Sequence, residues 1–328
     1  MHGISLNRSC RAARFFYFCI TEEKIMAFTA TDVKNLREKT GCGMMDCKKA
    51  LTEADGDMDK AIDFLRERGL AAAQKKSGRI AAEGAVVAYV DETKKVGVLI
   101  EVNAETDFVA KNDKFTDFAT LCAKTVAEQN PADVDALMAL TPDGKDADLA
   151  TLLRDLILQI GENMKVRRFV RTEGIVSTYI HGNGRIGVMT LFDTDDATAA
   201  KSEFKDMGKD ICMQIAAINP LYLNKESVPA DVLEHERTIL TEQVMNEGKP
   251  AAIAGKIVEG KLGKYYKENC LMEQPFVKNG DLSVAKFVAE TAKTLGADIK
   301  VLGYTRFEKG EGLQKREDNF ADEVASMM

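Results

Sequence analysis

Part of this chain is written twice, and that limits its possible folds more than any other feature. Glu83-Gly-Ala-Val-Val-Ala-Tyr89 returns as Glu173-Gly-Ile-Val-Ser-Thr-Tyr179, with Glu, Gly, Val and Tyr at an offset of 90. Without a gap, Val96-Gly97-Val98 returns as Ile186-Gly187-Val188. Each copy reads as a β-hairpin, the first turning at residues 91–95 and the second at 181–184. Helices are predicted over 113–128 and 197–218, stopped by Asn130-Pro131 and Asn219-Pro220, because proline cannot continue a helix. Further on the offset becomes 135. Gly161-Glu-Asn-Met-Lys-Val166 matches Gly296-Ala-Asp-Ile-Lys-Val301, Phe169 matches Tyr304 and Arg171 matches Arg306. Each of these pieces follows a helix, at 149–160 or 282–295, and ends in a strand. The fold class is therefore α+β: a duplicated unit of hairpin, helix, helix and strand, forming a three-stranded antiparallel sheet with helices on one face.

The change of offset gives the second copy 45 extra residues, and they fall at 228–269. Val232, Leu233, Ile239, Leu240 and Val244 mark one helix, and Ile253, Ile257, Val258, Leu262 and Tyr265 mark a second, at spacings of three and four. The Gly/Pro turn at residues 246–250 makes them an antiparallel helical hairpin inserted into the second copy. Before the repeat, residues 31–76 read as three short helices. The first is 31–39, the second starts at Met44, and the third is capped by Asp57 or Asp59 and carries Ala61, Ile62 and Leu65. The polar, small stretch 71–78 reads as a tether. At the end of the chain, residues 315–328 read as a short helix with Phe320, Val324 and Met327 on one face.

Little in the sequence suggests catalysis. Tryptophan is absent, and the three histidines and seven cysteines are scattered without C-x-x-C spacing, so neither a zinc site nor any other metal site is expected. The formal charge of −7 argues against direct nucleic-acid binding. No apolar run approaches the ~20 residues that span a bilayer. Phosphate-loop, dinucleotide, nucleophile-elbow and H-E-x-x-H motifs are missing. Asp55-Gly-Asp-Met-Asp59 resembles half a calcium loop but has Lys60 and Arg66 where glycine and glutamate are needed. Gly41-Cys-Gly43 reads as a helix-breaking turn. The inventory favours a binding protein with reduced thiols and no cofactor.

The junction Thr106-Asp107-Phe108-Val109-Ala110-Lys111-Asn112, between an apolar strand and a helix, is the candidate contact site. In one reading Phe108 folds into the core while Asp107 or Asn112 caps the helix; in the other Phe108 faces a partner. The equivalent place in the second copy, around Asp196-Ala197-Thr198, has no aromatic. A ring needed to pack a duplicated core would have a counterpart there, which favours the second reading.

Thr40-Gly-Cys-Gly-Met-Met-Asp-Cys-Lys-Lys-Ala-Leu51 and Glu101-Val-Asn-Ala-Glu-Thr-Asp-Phe-Val-Ala-Lys111 are similar to the two signatures of the bacterial elongation factor Ts family. Gly161-Glu-Asn163, His181-Gly182 with Arg185-Ile-Gly-Val188, Gln274-Pro-Phe-Val277 and Arg306-Phe-Glu308 also fit, so the resemblance runs from Met26 to Met328. It implies a ubiquitin-associated-like domain with linker over 26–80, core subdomains at 81–171 and at 172–227 with 271–312, a coiled-coil hairpin over 228–270 and a C-terminal module over 313–328. Residues 1–25 lie outside it. They are Arg-rich and acid-poor, which suits a transit peptide, but a misassigned start with Met26 as first residue is preferred. The function implied is guanine-nucleotide exchange on the cytoplasmic GTPase elongation factor Tu, bound in its GDP and nucleotide-free forms. Thr106, Asp107, Phe108 and Val109 would disturb the partner's Mg²⁺ site, and Met44, Met45, Ile160, His181 and Phe320 would make further contacts. An adaptor without exchange activity is the alternative, and a hydrolase or transferase lacks a nucleophile–base pair.

Overall fold

The computed structural model describes residues 28–248 and 250–314, so residues 1–25 and the helix expected over 315–328, with Phe320, lie outside the described residues. The chain divides into two compact units, the first ending at Leu65.

The first unit holds α1 (Ala30–Thr40), α2 (Met44–Glu53) and the start of α3 (Met58–Lys76). Thr29 and Asp32 form a reciprocal capping box at α1, and Gly41 ends it in the left-handed region at φ 66°. Asp57 accepts from the N–H groups of Asp59 and Lys60, at 3.0 and 3.1 Å, and so caps α3. Val33, Leu36, Cys47, Ala50, Leu51, Ala61 and Leu65 are buried, which shows why apolar residues recur on one face of each helix. One expectation is corrected here. Residues 71–76 are not a tether but the last turns of α3, since Ala, Gln and Lys are all good helix formers.

The second unit contains two three-stranded antiparallel sheets. One is formed by β1 (Glu83–Asp91), β2 (Val96–Ala104) and β3 (Met164–Glu173), in that order. On one face lie α4 (Asp113–Gln129), α5 (Val134–Met138) and α6 (Leu149–Ile160), around a core that includes Val98, Ile100, Val102, Phe115, Cys122, Leu149 and Val166. The other sheet has β4 (Ile175–His181), β5 (Ile186–Asp193) and, at its far edge, the later strand β8 (Lys300–Glu308). Between β5 and β8 come α7 (Asp196–Ala199), α8 (Ser202–Ile218), the helical hairpin α9 (Ala230–Asn246) and α10 (Ala251–Asn269), the short hairpin β6 (Pro275–Phe276) and β7 (Asn279–Ser283), and α11 (Val284–Leu295). The helical hairpin has its own core of Val244, Ala254, Val258 and Leu262. The sequence pattern had not suggested α5 or the β6–β7 hairpin.

Every residue of β2 is buried. A strand with helices on one face only would alternate, so its second face must also be covered. It is covered by the other sheet: Val86 and Leu99 pack with Met189 and Phe307. This close approach explains a glycine present in both copies. A Cβ on Gly97 would lie 2.6 Å from Val176 Cγ2, and one on Gly187 would lie 2.9 Å from Leu99 Cδ1. The duplication extends to an irregularity of register. The pairing slips between Glu101 and Val102 in β2, and between Leu191 and Phe192 in β5, the same place in each copy. Asn130 and Asn219 end α4 and α8 in the left-handed region, each followed by proline.

Candidate functional site

After Ala104 the chain leaves β2 and turns towards α4. A single 3-10 turn, Val109–Lys111, follows Phe108, and Asn112 then caps α4 by accepting from the Lys114 N–H at 3.0 Å. Of the two capping candidates, then, Asn112 does the work and Asp107 is left for other contacts. Val109 is buried against the α4 core, a contact that stabilises by roughly 1.5 kcal/mol or more. Its neighbour Phe108 points the other way and is 79% exposed. The core-packing reading of Phe108 is thereby excluded. Its backbone is ordinary, with φ −65° and ψ −40°, so no strain is needed to turn the ring outward.

Two side chains hold this loop. Glu162, in the turn between α6 and β3, accepts from the Thr106 N–H at 3.0 Å and from the Thr106 Oγ1 hydroxyl at 2.8 Å. Lys111 donates to Asp107 at 2.9 Å and lies over the Phe108 ring, 5.7 Å from its centroid. The hydrogen bond from Lys111 holds the Asp107 carboxyl below its ordinary range, so it is an anion at neutral pH. The result is an exposed aromatic ring next to a carboxylate, supported by two anchored residues.

Ile160 ends α6, half-buried against the same core, one residue before Gly161 turns the chain in the left-handed region at φ 89°. The turn it enters carries Glu162, so the structure brings Ile160 and the Thr106 loop to one place. His181 does not join them through a hydrogen bond. It is exposed at the end of β4, and its Nδ1 lies 3.0 Å from the Tyr179 hydroxyl. Met44 and Met45 are exposed on the first turn of α2, at 55% and 75%.

Glu101 is fully buried in β2, and sequence reasoning missed it. Arg168 Nε at 2.7 Å, Arg167 at 3.0 Å, Asn103 at 3.1 Å and the Gly310 N–H at 2.8 Å all donate to it. Burial pushes its carboxyl up, but the bonds from Gly310, Asn103, Arg168 and Arg167 outweigh burial and hold it below the ordinary value. The signal was a lone acid inside the apolar run of β2. This carboxylate ties the segment after β8 to the first sheet and is saturated by its partners, so it has no capacity left for a ligand.

Other sites offer less. A cavity of about 620 Å³ lies by the β1–β2 turn and α8, but its Lys95 and Lys205 already pair with Asp196 and Glu92 at 2.6 and 2.9 Å. Cys42, Cys47, Cys122, Cys212 and Cys270 are buried and form no disulfide, and burial pushes the Cys122 and Cys212 thiols up to about 12, where they are unreactive. Among the described residues no cluster of His, Cys, Asp and Glu could hold a metal ion, and no helix is long and apolar enough to cross a membrane.

Residues 105–311 match the family model described as Elongation factor TS. The chain is 51% identical over 302 residues to Elongation factor Ts of Clostridium perfringens strain ATCC 13124, covering 91% of this chain and 98% of the relative. It is 51% identical over 303 residues to Elongation factor Ts of Clostridium botulinum strain Eklund 17B, covering 92% and 99%. For that of Clostridium botulinum strain ATCC 19397 the identity is 48% over 307 residues, covering 92% and 98%.

Proposed function

The chain belongs to the elongation factor Ts family, and on that basis we propose that it is a guanine-nucleotide exchange factor for the translational GTPase elongation factor Tu. It binds the GDP form in the cytoplasm, promotes GDP release and is displaced when GTP enters. It is not a hydrolase: exchange works by negative coupling, in which the factor and GDP each weaken the other's hold on the GTPase. In bound GDP, Mg²⁺ ties phosphate oxygens to protein and water ligands. Residues 106–109 act there, with Phe108 as an apolar wedge and the Asp107 carboxylate competing within the magnesium network. Ile160 and His181 make flanking contacts, while Met44, Met45 and Phe320 dock other parts of the factor on the partner.

The observation that carries this reading is the 79% exposure of Phe108 beside a buried, anchoring Val109. A large ring left in water at a rigid junction is suited to burial in a partner. The test is to load elongation factor Tu with labelled GDP, add excess unlabelled nucleotide and time the release. Release should accelerate with the amount of chain added. Tight binding with unchanged release would instead identify an adaptor.

A further inference from the structure

The two turns that meet beneath Phe108 are joined reciprocally. Glu162, in the α6–β3 turn, accepts both the N–H and the hydroxyl of Thr106. Glu105, beside Thr106, accepts the N–H of Asn163 at 2.6 Å, and the Asn163 side chain donates to the Arg79 carbonyl at 2.9 Å. Each turn's carboxylate thus satisfies a backbone N–H of the other. Gly161 is fixed as well, since its carbonyl accepts from Lys76 Nζ at 2.6 Å. Two bonds from one carboxylate to one residue restrict both position and rotation of the chain at Thr106, two residues before the exposed ring. Carboxylate acceptors form the stronger class of hydrogen bond.

We propose that Glu162 is a positioning residue for exchange, setting the direction in which Phe108 leaves the loop. This rests on the proposed function above. Glu162 acts through Thr106, and the rest of the docking surface does not depend on it. Its loss therefore lowers the rate of GDP release at saturating factor and leaves the half-saturating concentration nearly unchanged. A group misplaced by an ångström can cost on the order of tenfold or more in rate.

The experiment compares GDP release from elongation factor Tu promoted by the wild type, Glu162→Ala, Phe108→Ala and the double variant, together with thermal melts of each. The expected result is a saturating rate about tenfold lower for Glu162→Ala, with much less added loss when Phe108 is already alanine, because both changes act through the same ring. Glu162→Gln keeps an acceptor for the Thr106 N–H and is expected to recover most of the rate. If Glu162→Ala melts early, Thr106→Val, which removes only the hydroxyl bond to Glu162, carries the comparison in a folded protein, with Glu162→Gln as the control that keeps most of the rate. Hydrogen exchange at the Thr106 amide of the free protein should quicken in Glu162→Ala. An unchanged rate for Glu162→Ala while Phe108→Ala is impaired overturns this inference alone. An equal loss in both backgrounds also overturns it, by showing a general structural role. Normal exchange by Phe108→Ala itself overturns the reading on which the inference rests.

Discussion

The chain leaves β2 for α4 and leaves β5 for α8 at equivalent points of a duplicated scaffold, yet the two junctions are built differently. Both follow a register slip at the same position, Glu101/Val102 and Leu191/Phe192. After β5, Asp195 accepts from the Thr198 N–H at 2.9 Å and from its hydroxyl at 2.8 Å, Thr198 is buried, and Asp196 pairs with Lys95. Apart from the buried Thr194 hydroxyl, which has no hydrogen-bond partner, the polar groups named here are satisfied by the junction's own residues and by its neighbours. After β2, the chain instead exposes Phe108 and holds Thr106 through Glu162. Before the junction, Glu101 is a buried acid where the second copy has Leu191. The fold forms with either arrangement, so the additions peculiar to the first copy are not required by the fold as such. Glu101 braces the unit from within, and Phe108 stands exposed on its surface.

Making the first junction resemble the second tests that distinction, and the largest effect is expected at Glu101. Glu101→Leu leaves Arg167 and Arg168 facing a buried position without their anion, and should cost about 3 kcal/mol in denaturant unfolding. The pH dependence has a definite sign. Because the folded state holds the Glu101 carboxyl below its ordinary 4.5, the stabilisation is complete above that value and is lost as pH falls through the lower, folded value. Wild-type stability should thus fall on acidification below about pH 4.5, and the Leu variant should show a shallower acid slope.

The helix caps come next. Asn112→Ala should cost about 1 kcal/mol and also slow exchange, since Asn112 ends the Phe108 loop. Asp195→Ala should lower stability at the other junction while exchange stays normal. Equal effects of the two on exchange would remove the functional difference between the copies. The smallest effect is expected from Lys111→Ala, which loses one exposed ion pair and a contact to the Phe108 ring. Melting should not change measurably, and exchange should fall less than for Glu162→Ala.

Much of this was legible in the sequence because the repeat carries period and register together. The hairpins, the helices ending at Asn130 and Asn219 and the inserted α9–α10 pair all followed from apolar spacing and turn residues. The face-to-face packing of the sheets was not legible, although Gly97 and Gly187 marked it, because a glycine at close approach looks like any other glycine in a strand. The end of α3 was misread because alanine-rich polar sequence suits both a linker and a helix, and the packing of residues such as Ala73 decides between them. At the candidate site the loop and its exposed ring could be argued from the missing counterpart in the second copy. Glu162 could not, since its partner Thr106 lies 56 residues away and only the folded chain brings them together.

The central claim is that Phe108 serves a partner and not the fold. The most direct measurement is Phe108→Ala, taken through both GDP release from elongation factor Tu and equilibrium unfolding. The account predicts release at saturating factor slower by about a hundredfold, with stability within roughly 0.5 kcal/mol of the wild type. Undiminished release, or a large loss of stability accompanying any loss of exchange, would contradict it.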